Sequence, residues 1–397
     1  MSSTPFVIVI LAFIILLSPF IAKTIRFPLA VVEILLGSLV GYIGILHGNT
    51  FVPIIAKTGF LFLMFLAGLE VNLKAFLTMN SDLLKRAVGY FLILYGLSAL
   101  LVWYWGLSLI YLVAFPIVSL GMIMALIKEL GKNEPWLKLV LMIGILGELV
   151  SIMALTLLSG AFEYGFNVNF AKVIGTLLLF LASTIFVFRA AKILFWWYPN
   201  LKKAIMPDSD NKDQDVRLSM ALFFIMVGMM IYLGLDMVLG AFIAGMFITT
   251  FFEYKSDLPH KLSSIGFGFL VPIFFVYVGS TLNFEALINP HVMGWALQIV
   301  AVLLILRVIS STVYLTRLGW FNTLLLAMGD SMPLTFLLAV ATIGKEAHAI
   351  SDTEYYALII AGMVAAVTMM TAIKIIYTLF ISKGAKRDTV PNHHHSH

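Results

Sequence analysis

LMIGILGELVSIMALTLLSG, residues Leu141–Gly160, holds nineteen uncharged residues and one carboxylate, Glu148. A charge at the bilayer centre costs about 2.5–3.5 kcal/mol on insertion scales, so an ionisable group there needs a partner or a task. Similar apolar runs recur from end to end. Of 397 residues, 61% are hydrophobic and 11% charged, against about 45–50% apolar and 25% charged in soluble domains. Each run of roughly 20 apolar residues can cross about 30 Å of hydrocarbon as a helix. Strand-period alternation is absent, which argues against a β-barrel. The chain reads as an all-α polytopic membrane protein, and its composition excludes a soluble enzyme.

Hydropathy predicts about thirteen transmembrane helices, near 5–22, 28–47, 52–71, 84–105, 108–127, 136–159, 170–195, 217–234, 236–252, 262–282, 291–315, 319–343 and 355–381. Lys and Arg are held on the cytoplasmic side of a membrane. Of 25 such residues, the alternate loops hold only Lys57, Lys172 and Lys345, and the spans hold Arg307 and Lys374. All the rest fall in one set of loops and tails. That split puts the N-terminus outside and the C-terminus inside. Residues 1–382 form one transmembrane domain, with a first half near 28–159 and a second near 236–381. The polar loop 198–217 links them on the cytoplasmic side. Residues 383–397 are a short cytoplasmic tail whose HHHSH end reads as native or as a tag remnant.

Arg307, in VAVLLILRVISSTVYL, sits at a depth in the eleventh span similar to that of Glu148 in the sixth. Two readings follow: a structural ion pair between helices, or an ion site whose carboxylate alternates between a proton and a cation. The fifth span, LIYLVAFPIVSLGMIMALIKEL, carries Pro116 and Gly121 in its middle. The twelfth, NTLLLAMGDSMPLTFLLAVATIG, is interrupted by Gly329, Asp330, Ser331 and Pro333. Proline removes a backbone hydrogen bond and clashes with the preceding turn. Paired interrupted helices in two halves of a chain point to a transporter site, with simple kinks as the alternative. Half-helix ends meeting at midplane need a carboxylate near their N-termini and a cation near their C-termini. Asp330 and Arg307 fit those charge-balancing roles. Glu33 and Glu70 read as shallow, interfacial carboxylates. No cysteine is present, and His47, His260, His291 and His348 fall at loops or span ends without metal spacing. No cofactor, no metal beyond a monovalent cation at Glu148, and no nucleic-acid partner is expected.

Four stretches carry a family resemblance: FPLAVVEILLGSLVGYIGIL (Phe27–Leu46), GFLFLMFLAGLEVNL (Gly59–Leu73), VLGAFIAGMFI (Val238–Ile248) and LVPIFFVYVGSTLNF (Leu270–Phe284). Across essentially its whole length the chain resembles the second family of monovalent cation:proton antiporters, the branch of Kef-type potassium efflux systems and bacterial sodium/proton exchangers. The resemblance implies two inverted repeats with crossing broken helices, a homodimer, alternating access, and a bacterial cytoplasmic membrane location. Glu148 falls where the family places its ion-binding aspartate, and Arg307 where it places a lysine or arginine. Ser119–Met122 and Gly329–Pro333 match the unwound crossings. With Ser119 and Ser151, Glu148 makes the candidate ion- and proton-binding set. The family usually pairs its acid with Asp, Asn or Gln, whereas this chain has Gly147. Kef-type members also carry a cytosolic nucleotide-binding domain, which is missing here or was removed; a separate regulatory subunit is a candidate partner.

A single carboxylate beside a permanently charged arginine can carry one proton or one monovalent cation per cycle. The expected activity is electroneutral exchange of Na+ or K+ for H+ across the lipid bilayer. The alternatives are a Kef-like gated potassium pathway and a transport-inactive sensor or scaffold, the latter suggested by Gly147 and Gly121.

Overall fold

The computed structural model describes residues 4–25, 27–45, 50–71, 81–130, 134–165, 167–198, 200, 213–235, 237–253, 255, 257–281 and 289–377. Most of the linker 198–217 and the tail from 378 lie outside the described residues, as do Asn72, Lys74 and Asp236. Among the described residues every regular element is helical. The helices are α1 (Thr4–Ile25), α2 (Leu29–Tyr42), α3 (Phe51–Leu69), α4 (Ser81–Trp105), α5 (Ile110–Ala114), α6 (Leu120–Leu130), α7 (Pro135–Tyr164) and α8 (Val168–Trp197). They continue with α9 (Gln214–Leu233), α10 (Met237–Phe251), α11 (Leu258–Ile265), α12 (Val271–Thr281), α13 (Pro290–Ser311), α14 (Leu315–Asp330), α15 (Leu334–Glu346) and α16 (Asp352–Ile376).

Among the described residues, nine helical stretches are long and apolar enough to cross a membrane, with α2 and α10 as shorter apolar helices. The chain is membrane-embedded. The expected fifth and twelfth spans are not continuous helices but the broken pairs α5–α6 and α14–α15. Local chemistry sets several ends. Pro135 and Pro290 open α7 and α13 at the first turn, where a missing N–H costs nothing. Ser351 and Glu354 form a reciprocal capping box on α16. Gly319, at φ 72°, kinks the start of α14, a conformation that only glycine adopts without strain.

Two bundles result. In the first, α1, α2, α3 and α9–α12 pack together; in the second, α4–α7 pack with α13–α16. The first is clasped by glycines. A Cβ on Gly37 or Gly41 of α2 would collide with the backbone of Val276 or Ser280, and one on Gly279 of α12 with Ile34. Gly68 of α3 and Gly245 of α10 meet each other's helices in the same way. Small residues let membrane helices approach to backbone contact, where dispersion replaces the hydrophobic drive that lipid removes. The second bundle has buried polar side chains at its centre: Glu148, Arg307 and Asp330 are each at most 1% exposed. The bundles touch where α7 meets α10 and α2 meets α16. Phe188 and Phe195 of α8 also stack on Phe251 of α10.

Candidate ion-binding site

The two broken helices lie side by side in the second bundle. Between α5 and α6 the chain is unwound over residues 115–119, and between α14 and α15 over 331–333. Pro116 and Pro333 sit in these gaps and supply no N–H, which accounts for the breaks. The Ser119 and Thr335 hydroxyls join the two crossings at 2.5 Å.

Arg307 ties the gaps together. Its Nε donates to the Asp330 carbonyl at 2.8 Å, Nη1 to the carbonyls of Phe115 and Leu303 at 3.0 Å, and Nη2 to that of Ile117 at 2.5 Å. The guanidinium thus serves the C-terminal ends of both α5 and α14, where helix dipoles present negative partial charge. All its bonds are to backbone carbonyls. Among the described residues no ion pair joins Arg307 to Glu148, so the structural salt-bridge reading does not hold.

Helix α7 reads the opposite end of the break. Glu148 and Ser151, three residues apart and so on one face, accept from two backbone donors of the unwound chain. Leu120 N–H donates to Glu148 Oε2 at 2.7 Å, and Val118 N–H donates to Ser151 Oγ at 3.0 Å. Leu120 is the first residue of α6, so the carboxylate at a half-helix N-terminus is Glu148. The expectation assigned that place to Asp330. Asp330 instead ends α14, and its Oδ2 accepts the Tyr90 hydroxyl at 3.1 Å. The reason is the position of the gap, which follows Asp330 rather than preceding it.

Among the described residues Glu148 Oε1 has no hydrogen-bond partner. A buried carboxylate oxygen left unpaired is costly, and Glu148 lines a cavity of about 1100 Å³ that lies between the two bundles. Leu120, Gly121 and Thr335 line it with Glu148, as do Lys23, Glu70 and Lys374, of which Lys23 and Glu70 are exposed. A Cβ on Gly121 would find nothing nearer than 4.0 Å, so the missing side chain enlarges the cavity. Ser119 and Ser151, read from sequence as ion ligands, bond the crossing itself and are not in the cavity lining. Ser331 turns its hydroxyl back to the Ala327 carbonyl at 2.6 Å, and Gly329 packs α14 against Val140 of α7.

A family match over residues 9–378 carries the description "Sodium/hydrogen exchanger, transmembrane". The chain belongs to the sodium/hydrogen exchanger family. The match covers the family as a whole and does not single out its Kef-type branch. YjbQ of Bacillus subtilis (strain 168), named as a candidate Na+/H+ antiporter, is 27% identical over 377 residues, covering 88% of this chain and 59% of its own. "Probable Na(+)/H(+) antiporter 3" of Methanocaldococcus jannaschii is 27% identical over 401 residues, covering 97% of this chain and 100% of its own. The solved structure of the sodium proton antiporter MjNhaP1 from the same archaeon shares the fold, with a TM-score of 0.63 over 93% of this chain and 95% of that one, at 14% identity.

Within that exchanger fold, three features escaped sequence reading. Thr335 looks like any threonine in an apolar run until the crossings meet. Gly147 is where relatives are expected to carry a second polar side chain; here a Cβ would lie 2.6 Å from Cβ of Val118, so a valine of the unwound stretch takes that room. Glu33, read as shallow, is only 3% exposed because α1 covers it, and it lines the same cavity as Glu148.

Proposed function

We propose that this chain exchanges a monovalent cation, Na+ or K+, for H+, with Glu148 holding one or the other in turn. The observation that carries the reading is a fully buried carboxylate, with one oxygen unpartnered among the described residues, that lines a cavity between two bundles. Arg307 is committed to four backbone carbonyls and stays protonated, so Glu148 alone exchanges charge. One carboxylate accommodates one proton or one monovalent cation, which gives an electroneutral 1:1 cycle. The Na+/H+ antiport named for YjbQ and the Methanocaldococcus relative supports Na+ as the cation. Lys23, which lines the cavity, belongs to the Lys- and Arg-rich loops of the chain, so the cavity opens to the cytoplasmic side under the positive-inside rule. Alternating access then consists of the second bundle shifting against the first until Glu148 faces the other side. The halves near 28–159 and 236–381 act as inverted repeats in this scheme, each contributing one broken helix.

The test is proton flux into proteoliposomes holding a pH dye, with an acid interior, clamped potential, and Na+ or K+ added outside. Alkalinisation driven by one cation in the native chain, and lost in Glu148→Gln, supports the reading and names the cation. If neither cation moves protons in the native chain, exchange is ruled out, and a potassium pathway or an inactive scaffold takes its place.

A further inference from the structure

The cavity wall holds a second carboxylate that the exchange step does not use. Glu33 projects from the second turn of α2 into the cavity that Glu148 lines from α7. Among the described residues its one hydrogen-bond partner is weak: the Ser18 hydroxyl of α1 reaches Glu33 Oε1 at 3.3 Å and is shared with the Ile15 carbonyl at 3.4 Å, both longer than ordinary O–H···O bonds. Among the described residues no ion pair within 4.0 Å reaches Glu33. Carboxylates with structural jobs in this molecule are met differently. Asp215 takes Lys261 Nζ at 3.0 Å and the Val216 N–H at 2.8 Å. Glu354 takes the Ser351 N–H and hydroxyl at 2.8 and 2.9 Å and the Tyr111 hydroxyl at 3.1 Å. A buried carboxylate with so little compensation is expensive in a membrane protein, and a glutamine would satisfy Ser18 equally well. What distinguishes Glu33 is the cavity it faces.

We infer that Glu33, with the Ser18 hydroxyl, forms a second binding station for the transported monovalent cation on the first-bundle wall of the cavity. The inference rests on the exchange reading of Glu148. The charged side chains lining the cavity are Lys23, Glu33, Glu70, Glu148 and Lys374. Glu33 and Glu148 are both buried and line the cavity from different bundles, so a cation inside it meets a carboxylate on each wall. Low-dielectric walls of one sign concentrate counter-ions. The α2 helix is held by the glycine clasp against α12, so Glu33 keeps its position on the cavity wall. It also stands on the bundle that does not carry Glu148. It therefore hands the cation over without travelling with it, and the charge moved per cycle stays that of Glu148.

Two measurements decide this. In proteoliposomes, Glu33→Gln raises the cation KM for exchange about tenfold or more, the scale of local concentration by a charged cleft, with the maximal rate within about twofold, the mark of a lost binding interaction. Glu33→Asp restores most of the affinity. An unchanged KM and rate in Glu33→Gln overturns the station and leaves the exchange reading intact. The second measurement needs no variant at position 33. A hydrophobic carbodiimide is applied to the native chain and to Glu148→Gln, and modification of Glu33 is read by mass spectrometry with Na+, K+ or neither. Protection of Glu33 by one cation in both chains supports the station. Labelling indifferent to both cations overturns it. Exchange that survives in Glu148→Gln sinks the functional reading separately, whatever Glu33 does.

Discussion

The two bundles are built on opposite principles. In the first, α2 and α12 are pressed backbone to backbone through Gly37, Gly41 and Gly279, and α3 and α10 through Gly68 and Gly245. In the second, helices are interrupted, and the loose backbone ends are gathered by side chains: Arg307 takes the carbonyls, Glu148 and Ser151 take the N–H groups. A glycine clasp is made of many small dispersion contacts and has no alternative register nearby. A gathered crossing is made of a few strong, directional bonds, and it keeps one carboxylate oxygen unpaired where a cation or proton can bind. Close backbone packing and gathered crossings are thus assigned to different bundles.

Removing the gatherer has the largest expected effect. Arg307→Met leaves the Phe115, Ile117 and Asp330 carbonyls without their donor, at about 1–3 kcal/mol for each buried acceptor left unsatisfied. The variant is expected to lose its monodisperse peak in detergent, and a native melting profile would show that the crossings hold without it. Next comes the clasp: Gly279→Val forces α2 and α12 apart, with a loss of about 1–3 kcal/mol from overpacking. Melting temperature falls, and an unchanged melting temperature would show that α2 and α12 separate without cost. Tyr90→Phe removes one bond to Asp330 Oδ2, with an expected cost of about 1–2 kcal/mol; equal destabilisation in an Asp330→Ala background would show the two are not coupled. Smallest is Gly121→Ala. Its Cβ meets only open cavity, and alanine is favoured over glycine in a helix by about 1 kcal/mol. Stability is expected to hold or rise slightly, so a marked drop would mean the cavity closes on that position.

The membrane class and the two breaks were legible in the sequence because each is written in local chemistry: runs of apolar residues, and Pro116 and Pro333 in the middle of two of them. Glu148 and Arg307 stood out for the same reason, as charges in uncharged surroundings. What the sequence hid is tertiary. Glu33 lies near a helix start, which along the chain looks shallow, yet Ser18 and its neighbours on α1 bury it. Asp330 was recognised as a group at a helix end but assigned to the wrong one, since only the coordinates tell whether the gap precedes or follows it. Nothing in residue 147 or residue 118 alone announces that a valine occupies the space a second polar side chain would need.

Arg307 grips carbonyl oxygens and no side chains, and every amino acid brings the same carbonyl. Phe115, Ile117 and Asp330 can therefore drift in identity without loosening the grip. Cavity residues such as Leu120 and Gly121 can be exchanged over evolutionary time, or by a protein engineer seeking a different ion preference, on a crossing that Arg307 holds through backbone groups.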